Sequence, residues 1–173
     1  VQGADEKNLL RVDGQGNTTI GGSAGVGPGL FATKVVYTAT ANFVYDVTTA
    51  DIDKDGDQDL IAGSYSGSNN ISVMLNLGSG IFGAATNYSA PNFVNSITTA
   101  DIDKDGDLDI IAGNTNTSNN VSVFLNNGSG SFGAATNYTA TSNAVNEVTI
   151  ADIDKDGDLD IVAINESTSN NVS

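Results

Sequence analysis

The 173 residues hold 21 Asp and Glu against 6 Lys and Arg, a net charge of −15, with no Cys and no His. That composition excludes His- or Cys-dependent nucleophilic catalysis, thiolate or imidazole zinc and iron–sulfur sites, and a basic footprint for nucleic acid or anionic membrane. No segment approaches the ~20 apolar residues that a helix needs to span a bilayer. The first twenty residues lack a charged start followed by an apolar run, so no leader peptide is expected within them.

In chain order, residues 1–26 come first and match nothing later in the chain. They contain Leu9-Leu10-Arg11-Val12, the turn-like Asp13-Gly14-Gln15-Gly16 and Thr18-Thr19-Ile20, which predict a hairpin able to donate strands. A Gly-rich stretch, 21–29, leads into a weak repeat copy beginning at Gly29-Leu30-Phe31-Ala32 and running to Tyr37. From there the chain repeats itself plainly. The segment Val47 to Asp57 recurs at Ile97 to Asp107 and at Val148 to Asp158, with Asp51, Asp101 and Asp152 in register.

Each unit predicts four short strands, at 47–50, 60–62, 71–76 and about 82–88 in the first copy. Thr, Val, Ile, Phe and Tyr fill these runs, with Gly, Asn and Ser between them. No helical period is present. The expected fold is all-β: tandem four-stranded antiparallel blades of β-propeller type in three repeats, 27–77, 78–127 and a truncated 128–173. Since a closed propeller takes about 4–8 blades, three units do not close a ring.

Between the first two strands of each unit lies an acidic loop. Its aspartates stand at positions 1, 3, 5, 7 and 9: Asp51, Asp53, Asp55, Asp57 and Asp59; Asp101, Asp103, Asp105, Asp107 and Asp109; Asp152, Asp154, Asp156, Asp158 and Asp160. With one Lys apiece (Lys54, Lys104, Lys155), the loops carry −12 of the net −15. Carboxylates ~4–5 Å apart repel by roughly 3–4 kcal/mol per pair at an effective dielectric near 20. A divalent cation offsets this and one lysine does not. The alternation, with Gly at position 6 for the sharp turn, folds round a hard ion as the first nine positions of an EF-hand loop do. Calcium suits many flexible oxygens better than magnesium. About three calcium ions are expected, one per repeat. Ala62, Ala112 and Ala163 stand where an EF-hand has its bidentate Glu, and strands flank the loop, so the site reads as structural.

These loops, together with the Gly-x-Phe-Gly-Ala-Ala corners at Phe82 and Phe132, resemble the FG-GAP/VCBS repeat. That repeat builds integrin α-type β-propellers and many secreted bacterial proteins, and the resemblance covers roughly residues 27–173. It implies side-chain ligands from positions 1, 3, 5 and 9 of each loop and a backbone carbonyl from position 7, whose own side chain stays free. It also implies that Ile102 and Leu108 point into the sheet core and anchor the loop.

Phe31, Phe82 and Phe132 read as core, and Tyr37, Tyr88 and Tyr138 as edge packing. Asn-x-Ser/Thr triplets at Asn17, Asn70, Asn87, Asn116, Asn120, Asn127, Asn137, Asn165 and Asn171 offer glycan acceptors in a secreted chain. No catalytic group adjoins the loops, so the chain reads as a non-enzyme.

The sequence stops at Asn171-Val172-Ser173, inside a strand that is complete in the preceding copy. Two explanations stand. Either the chain is an excerpt of a larger calcium-stabilised propeller, an adhesion or lectin-like module for protein or carbohydrate, or its open strand edges pair head to tail into a homo-oligomer or filament. The second is favoured. Extracellular modules of this kind bind calcium at about 10⁻⁴–10⁻³ M, which suits an extracellular or cell-surface location.

Overall fold

The computed structural model describes residues 9–12, 18–21, 35–39, 43–65, 68–115, 118–140 and 143–165. They form thirteen strands and no helix, so no described helix is long and apolar enough to cross a membrane. The first four-stranded sheet holds β4 (Val44–Ala50), β5 (Asp59–Ser64), β6 (Ile71–Met74) and β7 (Thr86–Tyr88), in that order and antiparallel throughout. The second repeats it with β8 (Val94–Ala100), β9 (Asp109–Asn114), β10 (Val121–Phe124) and β11 (Thr136–Tyr138). The third shows its first two strands, β12 (Val145–Ala151) and β13 (Asp160–Asn165).

Four antiparallel strands per unit agree with the sequence. The sheets run over 44–88 and 94–138, so β7 and β11 fall beyond the unit limits at 77 and 127. The predicted strand 71–76 ends at Met74, and Asn76 instead forms an isolated bridge to Phe82.

The hairpin read from residues 9–20 is present, as β1 (Leu9–Val12) and β2 (Thr18–Gly21), and β3 (Val35–Tyr37) joins it. Its registers are those of the later sheets. Leu10 faces Ile20 as Ile61 faces Val73, and Thr18 faces Tyr37 as Ile71 faces Tyr88. β1, β2 and β3 are therefore the second, third and fourth strands of a preceding blade. For β1 and β2 the match is invisible in sequence because pairing is set by backbone and alternation, not by residue identity; for β3 it accords with the weak copy that runs to Tyr37. Residues 22–34, which hold all of the Gly-rich stretch 21–29 but Gly21 and also Phe31, lie outside the described residues, as do Asn17, Asn116 and Asn171.

Each core cluster lies between successive blades. Ile52, Ile61, Ile71 and Val73 of the first blade meet Val94, Ile97, Ile110 and Phe124 of the second. Ile111, Val121 and Val123 in turn meet Val145, Val148 and Ala163 of the third. On the other face of the first blade, Leu60, Ala62 and Met74 pack with Ala39 and Tyr37. Alternate residues of β5 thus face different cores, and all six are buried. Blade stacking therefore builds the hydrophobic interior that no single sheet can enclose.

Phe82 and Phe132 are half-buried, packing against these clusters at their edges. Tyr37 and Tyr88 stand edge-on to them, with ring centroids 5.0 and 5.4 Å apart, and their hydroxyls accept from the Phe82 and Phe132 amides at 3.2 Å. The recurring tyrosines are thus blade-to-blade fasteners.

Candidate metal centre

Each acidic loop leaves the first strand of its sheet and returns into the second, so its ninth aspartate is the first residue of a core strand. Asp59 and Asp109 are fully buried there. A buried carboxylate must be hydrogen-bonded, and both are. In the first loop Asp59 Oδ2 accepts from the Ile52 amide at 2.9 Å and Oδ1 from the Asn76 amide at 2.8 Å. In the second, Asp109 accepts from Ile102 and Asn126 at 3.0 and 2.9 Å. The loop is thereby closed across its mouth and tied to the residue two places beyond the third strand of its own blade.

The other carboxylates organise the turn. Asp51 Oδ2 accepts from the Gly56 amide at 3.1 Å, Asp53 Oδ1 from Asp55 at 3.3 Å and Asp55 Oδ1 from Asp57 at 2.8 Å. Identical bonds recur in the second and third loops. Position 6 has φ of 94°, 91° and 93°, which glycine adopts without strain. Position 4 also has positive φ, 62° at Lys54, 63° at Lys104 and 64° at Lys155, at a strain of roughly 1–2 kcal/mol each. The rigid frame of carboxylate-to-amide bonds holds that conformation.

Three carboxylates converge in every loop. Asp51, Asp53 and Asp59 each present an oxygen within 4.8 Å of the others, as do Asp101, Asp103 and Asp109, and Asp152, Asp154 and Asp160. Positions 1, 3 and 9 are thus brought together. Positions 5 (Asp55, Asp105, Asp156) lie outside the triads, their Oδ1 atoms capping the amides of position 7. Burial pushes the carboxyl of Asp53 above its ordinary 3.8, against the amide bond from Asp55, and the charges of Asp59, Asp55 and Asp51 raise it further. Burial likewise raises Asp109, with Asp103 and Asp105 adding to it, while amide bonds from Asn126 and Ile102 oppose the shift.

One observation tests the fit to a cation directly. Asp51 Oδ1 and Asp101 Oδ1 are buried and accept no hydrogen bond, while the second oxygen of each is bonded to the loop glycine. An unpartnered buried carboxylate oxygen beside two further carboxylates fits a hard cation. The groups could therefore hold a metal ion.

The side chains of position 7 have a use that sequence reasoning missed. Lys54 of the first loop pairs with Asp107 of the second, and Lys104 with Asp158 of the third. Asn126 adds a second link between blades, its amide group donating to Ile52 O at 2.8 Å and Leu108 O at 3.0 Å. The signal was available: Lys at position 4 and Asp at position 7 recur in every copy. Of the anchors, Ile52 is buried, whereas Ile102 and Leu108 are half-buried and Ile153 is 61% exposed. Ile52 is covered by the following blade, and no described blade follows the third.

Burial also sorts the glycan acceptors. Asn70 and Asn120 are fully buried, with their amide groups donated to backbone carbonyls of the blade junction, and Asn165 is 8% exposed. Asn127 and Asn137 are exposed.

Such an arrangement, antiparallel sheets in tandem with an aspartate-lined loop joining the first two strands of each, defines a blade-type β-repeat protein. The FG-GAP-like repeat profile matches residues 51–112 and again 101–163, together well over half of the chain, and the protein belongs to that family. No match was found among curated proteins.

Proposed function

We propose that the protein is an extracellular or cell-surface structural repeat module, non-catalytic, whose loops take up about three calcium ions and whose blades continue head to tail into a fibre or surface array. The observation that carries the calcium reading is the set of converging triads with the unpartnered oxygens of Asp51 and Asp101. Calcium rather than magnesium is favoured by a loop that offers many carboxylate and carbonyl oxygens, since magnesium keeps several waters in a strict octahedron. Each ion joins the two ends of a loop, so it acts as a staple on the first two strands of a blade.

Head-to-tail extension is supported by contacts whose other half is missing among the described residues. Tyr138, the counterpart of Tyr37 and Tyr88, is 52% exposed, and Ile164 on β13 is 41% exposed. Lys155, the counterpart of Lys54 and Lys104, makes no ion pair with a described residue. A second copy can complete these heterologous contacts, and such contacts propagate. The test is light scattering and electron microscopy with and without EDTA. Filaments or large oligomers in calcium that dissociate in EDTA support the reading; a compact monomer in calcium removes the assembly half of it.

A second reading, an adhesion or lectin-like module of a larger propeller, is favoured by one feature. Tyr45 and Tyr65 are exposed at the end of the blades away from the acidic loops.

A further inference from the structure

The three described first strands, β4, β8 and β12, each carry a bulge at the same place. Pairing with the second strand skips one residue, Tyr45 between Val44 and Asp46, Asn95 between Val94 and Ser96, and Asn146 between Val145 and Glu147. A bulge frees one side chain from the pleat and re-aims it. The three re-aimed residues line a single cleft of about 490 Å³, with Tyr65, Thr115 and Ala144 completing its wall.

This cleft is unlike the rest of the molecule. The chain carries a net charge of −15, yet no carboxylate or amine is among the described residues lining it. One wall is aromatic. Phe93, Tyr65 and Tyr45 form a continuous stack, with centroids 4.4 and 5.0 Å apart and planes tilted by 30° and 31°. The stack ends on Tyr45, which is 64% exposed. The fold does not require a ring there, because Asn95 and Asn146 occupy the same bulge in the next two blades. The opposite wall is amide and hydroxyl. Asn95 donates its amide group to Val145 O at 3.1 Å, which fixes that side chain across a blade boundary.

We propose that this cleft binds a neutral saccharide, one face of a sugar ring lying on Tyr45 and its hydroxyls meeting Asn95, Asn146, Thr115 and the Tyr65 hydroxyl. A sugar ring offers an apolar C–H face and a rim of neutral donors and acceptors, matching the two walls, while the uncharged lining gives no purchase to phosphate, carboxylate or ammonium groups. The volume lies within the range of small-ligand sites. The site is separate from the acidic loops, and it gives the binding-module reading a location and a ligand class.

The experiment presents the calcium-loaded full chain to an array of neutral glycans, followed by calorimetric titration of the glycan retained most strongly. Retention of a neutral glycan, weakened roughly tenfold or more by Tyr45→Ala and unaffected by Ile81→Ala at an exposed site elsewhere, is expected. No retained glycan, equal binding by Tyr45→Ala, or retention of only charged glycans overturns the proposal. Calcium stoichiometry measured on the same variants stays unchanged if the loops bind ions as proposed, so failure of the sugar site and failure of the ion sites read out separately.

Discussion

Lys54, in the first acidic loop, is ion-paired with Asp107, in the second, and so joins two loops that Asn126 also bridges through Ile52 O and Leu108 O. Its ammonium group is held charged first by the hydrogen bond it donates to Asp107, and further by the charges of Asp107, Asp105 and Asp101. Lys104 repeats the arrangement toward Asp158, so the link forms a ladder along the blades.

Removing a rung should separate two effects. Lys54 is about half exposed, and exposed ion pairs add little to stability, so Lys54→Met should lower stability little. The same change removes a positive charge beside the second loop, and calcium affinity at that loop should rise. Site-resolved calcium titration checks this, and the gain should shrink at high salt because exposed charges are screened. An unchanged or weaker second site would show that the lysine positions ligands instead.

The triads rank the aspartates of one loop. Asp103→Ala removes a converging carboxylate and should lose one of about three ions, with a lower melting temperature in calcium. Asp105→Ala removes the acceptor for the Asp107 amide and leaves the triad whole, so it should keep the ion with weaker binding. For each site that binds only the folded chain, a hundredfold excess of calcium over the dissociation constant stabilises by about 2.7 kcal/mol. Melting that is identical in calcium and EDTA contradicts the ion reading altogether.

Much of this could be read before the structure. The acidic loops, the strands around them and the repeat spacing are written in near-identical residues, and period-two alternation marks Ile71, Val73 and their copies as core. Long-range relations were not legible. Asn126 reaches Ile52 across 74 residues, and nothing in either residue's neighbourhood announces the other. The bulges at Tyr45, Asn95 and Asn146 have no residue signature, because they arise from how two strands meet. Of the blade formed by β1, β2 and β3, sequence repetition marks only β3, at the end of the weak copy that runs to Tyr37; register alone relates β1 and β2 to the later strands.

The metal-free chain should respond to pH in an unusual direction. Asp53 and Asp109 have carboxyls raised above 3.8, chiefly by burial. A raised acid holds its proton more tightly when folded, so its stabilising contribution is full below 3.8 and is lost as pH rises through the folded value. For these two groups, acidification therefore stabilises the metal-free protein. With calcium present the sign reverses, since protons compete with the ion for the same oxygens. Melting curves of metal-free and calcium-loaded protein should converge as pH falls from neutral to about 4. Parallel curves would mean that these carboxylates do not meet the ion.

A close approach between blades predicts the last outcome. A Cβ on Gly113 would lie 2.7 Å from Val145 Cγ1 and 3.2 Å from Val148 Cγ1, both on the first strand of the next blade. Gly63 stands in the same relation to Val94, at 2.6 Å. Neither glycine is needed for its backbone conformation; the missing side chain is what lets the blades approach. Gly113→Ala should therefore overpack the junction at a cost of about 1–3 kcal/mol. Shortening the opposing side chain gives the decisive comparison. Val145→Ala alone loses core packing, yet in the Gly113→Ala background it relieves the clash, so the double variant should be more stable than the two single losses added together. Chemical denaturation of the four proteins in calcium measures that difference. Strict additivity would show that Gly113 and Val145 do not touch and that the blades pack otherwise.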